Sequence, residues 1–360
     1  MVGKSRSNKI ARRLVTRVFA VAGMAIGVLS GLAALPMPAT AEGSSAAVMM
    51  YHRFGESRYP STNIQLEQFE AHLAEIASGG FNVMPLPEIV AAVRAGRELP
   101  PKTIAITIDD AFLSVWKEAW PRLRLAQLPF TLFIATRSVD RNSPGYMSWD
   151  QIKELAAAGV TIGSQTVSHP HMPLLSDERN AAELRNSSAR FEEMLGKRPT
   201  LIAYPYGEYS LAVRRVTKQA DFVAGFGQHS GVMHPGSDFF YLPRFALNEA
   251  HGDVKRFRLA GNTLPLPASD ITPADPFLKQ GANPPLFGFT VGEEFSKKLR
   301  RLACYASGQG KVRIERLGDT RVEVRMNKPF GVGRTRVNCT LPAGKGRWHW
   351  LGRQFLVPPR

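Results

Sequence analysis

Ile104-Ala105-Ile106-Thr107-Ile108-Asp109-Asp110 is an apolar run that ends in two adjacent carboxylates. An uncharged stretch of Ile, Ala and Thr reads as a strand buried on both faces, as in parallel sheets covered by helices. One Asp after such a strand would cap the next helix; a second exceeds that need and marks the strand end as a site. Working outward, Val48-Met49-Met50-Tyr51, Phe130 to Ile134, Val160 to Gly163, Leu201 to Tyr204, Phe222 to Phe226 and Tyr241 to Phe245 are further short apolar runs. Between them lie segments of helical period. Leu66, Phe69, Leu73 and Ile76 share one helix face, and Ser148 with Gln151 forms a capping box for a helix ending at Gly159. Further helices are expected near 176–195 and 210–219, and one after Asp110 to about Leu125. Repeated strand–helix units predict an α/β fold with a parallel sheet, and about seven strands favour a small (β/α) barrel over an open sheet.

The 360 residues are 44% hydrophobic and 21% charged, which excludes disorder, collagen-like repeats and coiled coil. At this length one large domain with a smaller companion is expected. The net charge of +16 is confined to the ends. Residues 1–41 carry six basic groups and no acid, residues 284–360 carry 16 Lys and Arg against 5 Asp and Glu, and residues 42–283 sum to −1. The first 41 residues read as a signal peptide. Basic residues up to Arg17 precede an apolar run from Val18 to Leu35, and Pro36 to Ala41 fits cleavage after Ala41. Uncleaved, the same run would anchor the chain in a membrane. Arg12-Arg13 hints at twin-arginine export. The body is therefore expected in the periplasm or outside the cell.

Residues 46–261 are expected to form the barrel. Residues 262–285, with six prolines and little periodicity, read as a linker. Residues 286–360 read as a basic all-β domain that folds on its own, with alternating runs at Lys311–Leu317, Thr320–Met326, Thr335–Leu341 and Trp348–Val357. Its Cys304 and Cys339, the two cysteines of the chain, favour a disulfide in an exported protein over a metal site.

In parallel α/β folds the reactive groups gather at the C-terminal ends of strands. Besides Asp109-Asp110, the strand at 160–163 runs into Ser164-Gln165-Thr166-Val167-Ser168-His169-Pro170-His171, placing two imidazoles at its end. The first strand ends in Tyr51-His52, and 201–204 leads into the tight turn Pro205-Tyr206-Gly207. A carboxylate and imidazoles on a divalent ion, a second carboxylate as base and an opposed His as acid describe metal-assisted hydrolysis.

Thr107-Ile108-Asp109-Asp110, Gln165-Thr166-Val167-Ser168-His169 and Tyr204-Pro205-Tyr206-Gly207, in that order, resemble the polysaccharide deacetylases, the family-four carbohydrate esterases. The early Tyr51-His52 resembles their circularly permuted branch, which contains the poly-N-acetylglucosamine deacetylases. The likeness covers about residues 46–250. It implies a distorted (β/α) barrel and metal-dependent removal of acetyl groups from N-acetylated sugars. It further implies Asp109 as general base, Asp110 and His169 as metal ligands, the Tyr206 amide as oxyanion donor and His52 as the acid that protonates the leaving amine. The arginine usual in the Pro-Tyr motif is missing, with Ala203 near its place; Arg244 can replace it by pairing with Asp109, or form a structural salt bridge.

The family's second motif begins with His, and here that position is Gln165. A neutral amide oxygen is a weaker ligand than imidazole. Gln165 then ligates weakly, or His171 substitutes, or the metal, expected to be zinc, is lost. The expected function is metal-dependent N-deacetylation of an N-acetylated envelope or extracellular polysaccharide; the alternative is a catalytically silent glycan-binding protein. The basic β-domain is expected to attract an anionic glycan or envelope component rather than nucleic acid. Trp348 and Trp350 suit sugar stacking or simple core packing.

Overall fold

The computed structural model describes residues 43–279 and 281–359, so the segment read as a signal peptide lies outside the described residues. Strands Ala46–Tyr51, Thr103–Asp109, Phe130–Ile134, Thr161–Ser164, Leu201–Ala203 and Ala224–Phe226 lie side by side in that order, all parallel. Every residue of Thr103–Asp109 is buried, as its uninterrupted apolar run requires. Alternation along the strands divides the core. Met49, Ile106, Ile108 and Leu132 pack against Phe69, Ile76, Trp120 and Ile152 of the surrounding helices. Val48, Ala105, Phe133, Ala203 and Phe226 pack together with Leu242 on the opposite face.

The sheet curls until one segment joins its ends. Leu242 bridges Phe226 and exchanges backbone hydrogen bonds with Gly225 and Gly227. Three residues later, the strand Phe245–Ala246 pairs in parallel with Met49 and Met50 of the first strand. The expected distorted barrel is therefore present, and its closing segment carries Arg244. Helices Leu66–Ser78, Trp149–Ala157, Asp177–Leu195 and Leu211–Gln219 are those expected, with the Ser148–Gln151 capping box formed. The helices Leu86–Arg94 and Val254–Gly261 were not anticipated. Before Leu125 the chain winds first as a wide π-turn, Val115–Ala119, and then as the short helix Trp120–Leu125.

The second sheet corrects two expectations. It has eight strands, and two of them, Leu264–Pro265 and Ala268–Thr272, come from the stretch read as a linker. Pro265 did not exclude the first because that strand lies at an edge, where a missing N–H costs no ladder bond, and the second, also at an edge, contains no proline. The sheet therefore begins before residue 286, and a fragment 286–360 would lack both of its edge strands. It is also bonded to the barrel: Tyr241 donates its hydroxyl to the Gln354 carbonyl at 3.1 Å, and Arg336 Nε donates to the Gln228 carbonyl at 3.0 Å. Gly352 abuts the Ser230 carbonyl so closely that no Cβ fits there. Cys304 and Cys339 face each other on neighbouring antiparallel strands, Ala303–Ala306 and Gly333–Gly344, and form the expected disulfide.

Two buried histidines give the fold a pH dependence. Burial lowers His72 to about 4 and His229 to about 3, and each ring has one nitrogen without a partner. An unfolded histidine takes a proton below about 6.5 that these folded ones refuse, so their contribution is present above that pH and is lost as pH falls toward 3–4. Unfolding at pH 5 should take up protons and need less denaturant than at pH 7.5, and His229→Phe should flatten that difference in parallel urea titrations. An unchanged pH slope in that variant would refute the assignment.

Candidate active site

Four pieces of backbone converge at the C-terminal edge of the barrel. Asp109 closes the strand Thr103–Asp109, and its carboxylate is wholly buried. A buried carboxylate needs a compensating charge, and Arg244 supplies it from the closing segment. The guanidinium, itself fully buried, grips both oxygens, Nη1 to Oδ1 at 2.6 Å and Nη2 to Oδ2 at 2.7 Å. Its Nε donates to the Gly227 carbonyl at 2.9 Å and Nη1 also reaches Thr107 Oγ1 at 3.3 Å, so it has a single orientation. His52, one residue beyond the first strand, places Nε2 3.8 Å from Asp109 Oδ2.

Successive residues on a strand point to opposite faces, which would separate Asp109 from Asp110. Asp110 instead has φ of 58°, a left-handed turn that swings its side chain into the same cleft. There its Oδ1 lies 3.7 Å from His169 Nε2. Burial is the main cause that raises the Asp110 pKa to about 6 and that lowers His169 from its ordinary value. The loop carrying His169 is knit by side chains: Thr166 N donates to Ser164 Oγ at 3.1 Å, and His169 N to Thr166 Oγ1 at 3.2 Å. Glu183, on the helix Asp177–Leu195, accepts from the amides of Val167 and Ser168 at 2.9 and 2.8 Å. Nothing in the sequence singled out Glu183.

Gln165 is fully buried and its Oε1 accepts from the Asp110 amide at 3.2 Å. That bond fixes the direction of the side-chain amide and leaves Nε2 without a partner. His171 is placed elsewhere. It stacks on the Tyr206 ring with centroids 4.3 Å apart, and its Nδ1 meets Glu208 Oε2 at 2.8 Å. This corrects the idea that it substitutes for Gln165. A buried carboxylate 2.8 Å away and an aromatic face hold the ring, two attractions that the sequence did not reveal.

Tyr206 occupies the turn Pro205–Gly207 with φ of 59°. Pro205 has no amide hydrogen, and the amides of Gly207 and Glu208 are bonded to the carbonyls of Tyr204 and Pro205. The Tyr206 N–H is thus the amide this turn does not consume, as an oxyanion donor requires.

The donors suit a divalent ion with one weak corner. Asp110 and His169 are the carboxylate and imidazole such an ion favours, too far apart to hydrogen-bond directly. Among the described residues no group of three His, Cys, Asp or Glu could hold a metal, and the polar side chain beside Asp110 is Gln165, whose oxygen accepts from the Asp110 N–H. Arg244 is testable without any ligand. Arg244→Met should cost about 3–5 kcal/mol, since it leaves Asp109 buried and unpaired. Asp109→Asn combined with it should recover part of that loss in urea titrations; a fully additive double variant would show that the pair is not coupled.

Residues 96–225 match the family model for polysaccharide deacetylase. The poly-beta-1,6-N-acetyl-D-glucosamine N-deacetylase of Staphylococcus aureus (strain MRSA252) is 23% identical over 235 residues, spanning 57% of this chain and 80% of that protein. Among solved structures, IcaB from Ammonifex degensii superposes with a TM-score of 0.55 at 26% identity, over 61% of this chain and 98% of that one. The Streptococcus pyogenes deacetylase PplD superposes at 0.54 with 21% identity, over 57% of this chain and 94% of that one.

Proposed function

We propose, for a chain that carries a polysaccharide deacetylase domain, that it removes acetyl groups from an N-acetylated polysaccharide by metal-assisted hydrolysis. The observation that carries the reading is the division of labour between neighbours: Asp109 is held by Arg244 with His52 at 3.8 Å, while Asp110 faces His169. Asp109 is the base that takes a proton from the attacking water. The Tyr206 amide donates to the carbonyl oxygen as it gains negative charge. His52, across from Asp109, gives a proton to the leaving sugar amine, so acetate and a free amine result. Asp110 and His169 would hold the divalent ion, with the Gln165 oxygen as a weak third donor, and the ion when bound would act as Lewis acid on water. The neutral Gln165 amide, with its oxygen already engaged by the Asp110 N–H, is also what favours the second reading, a silent glycan-binding protein.

Export belongs to the same reading, supported by the basic and apolar pattern of residues 1–41. So does an acidic glycan as partner of the C-terminal sheet. That attraction is tempered by local pairing, since Arg313 pairs with Glu315 and Arg321 with Glu323 along single strands, and Arg325 pairs with Glu315 across two.

The test uses zinc-loaded protein and a β-1,6-linked N-acetylglucosamine oligomer, read as acetate released. Asp109→Asn should lower turnover at least about a hundredfold while leaving bound zinc nearly unchanged, the pattern of a lost general base. Gln165→His should tighten zinc binding by restoring an imidazole donor. Wild-type protein that binds the oligomer but releases no acetate at any zinc concentration would leave the silent reading in its place.

A further inference from the structure

The Pro205–Gly207 turn is not held by the barrel alone. Gln354, on the strand Arg347–Val357 of the second sheet, donates through Nε2 to the Tyr206 carbonyl at 3.1 Å and to the Gly207 carbonyl at 2.9 Å. Arg334, on the strand Gly333–Gly344, adds a third donor, Nη1 to the Tyr206 carbonyl at 3.2 Å. Its guanidinium lies 5.3 Å from the centroid of the Tyr206 ring. Both residues lie far beyond the matched stretch, residues 96–225. We propose that Gln354 and Arg334 are positioning residues for the Tyr206 amide, so that the second sheet completes the oxyanion-binding part of the site. The inference rests on the deacetylase reading for the role of that amide, but not for the support itself.

The physical argument begins with Tyr206. A non-glycine residue at φ of 59° is held against a preference of about 1–2 kcal/mol for other conformations. Left alone, a three-residue turn of this kind would relax by rotating about φ and ψ, and the Tyr206 N–H would swing with it. Fixing the carbonyls of Tyr206 and Gly207 clamps the peptide planes after Tyr206 and so limits that rotation. Gly207 has little room to shift, since Gln228 lies so close to its Cα that no Cβ would fit there.

Gln354 also looks poorly chosen for stability. It is buried, and its Oε1 has no hydrogen-bond partner. An orphaned carbonyl offsets much of what two amide hydrogen bonds contribute. A methionine of similar shape would remove the donors and the orphan together but would leave the buried Gly207 carbonyl without this partner, so a modest loss of stability is expected. A side chain whose removal disturbs turnover beyond what that loss explains is a positioning group rather than a structural one.

The experiment compares wild type, Gln354→Met and Arg334→Met as full-length chains. Three quantities are read: kcat and KM for acetate release from the same oligomer, the thermal midpoint, and hydrogen exchange at the Gly207 amide, which donates to the Tyr204 carbonyl within the turn. Gln354→Met should lower kcat about tenfold or more with KM changed less than about threefold, because the lost contact matters as the oxyanion forms. Gly207 exchange should accelerate, with the thermal midpoint falling only modestly and the variant still folded at the assay temperature. Arg334→Met, at a partly exposed position, should show the same pattern more weakly, and it serves as the test if Gln354→Met fails to fold. Folded variants with wild-type kcat and wild-type exchange overturn the proposal. If wild type releases no acetate, the deacetylase reading fails by itself and exchange alone decides: faster exchange keeps the support role, and unchanged exchange removes it.

Discussion

Asp109 and Arg244 form a bidentate ion pair with both side chains excluded from solvent, and the site is arranged around it. The pair ties the last residue of a central strand to the segment that closes the barrel. Removing either member would leave an uncompensated charge on a buried side chain. This contact adds a charged link to the backbone pairing that closes the barrel and sets the geometry of the candidate site. The guanidinium is further fixed by Gly227 and Thr107, so the carboxylate it holds presents one oxygen toward His52 in a single orientation.

The second constraint is conformational. Asp110, Thr166, His169 and Tyr206 all have positive φ, and all four lie on the loops that line the candidate site. Each such residue costs of order 1–3 kcal/mol, and each is held by surrounding contacts. Glu183 caps the His169 loop, Gln165 receives the Asp110 amide, and Gln354 with Arg334 grips the Tyr206 turn. Strain and support are thus paired loop by loop. Asp110 adds an electrostatic cost, since burial raises its pKa to about 6, and a bound cation would relieve it.

Much of the barrel was legible because buried parallel strands are uninterrupted apolar runs, as at 104–108 and 130–134. Arg244 could be named because the motif lacked an arginine and Leu242-Pro243-Arg244 offered one near a strand end. The edge strands at 264–265 and 268–272 were hidden by prolines, which weaken a strand signal but are tolerated at an edge. His171 was misjudged because its neighbours in sequence say nothing about Glu208, 37 positions later. Gln354 was invisible for the same reason on a larger scale. A glutamine in a strand of a basic sheet carries no signal of its own, and its partners are set by how two sheets dock.

The distance along the chain between the Tyr206 turn and Gln354 also orders events in time. They are 148 residues apart, and synthesis proceeds from the N-terminal end. At roughly 5–20 residues per second, the turn has been synthesised for about 7–30 s before the strand that grips it has been made. The disulfide between Cys304 and Cys339 falls within that interval and links two strands of the same late-forming sheet. A growing chain therefore holds its carboxylates and imidazoles well before the Tyr206 turn gains its bonds from Gln354, and the cleft is complete only with the last strand.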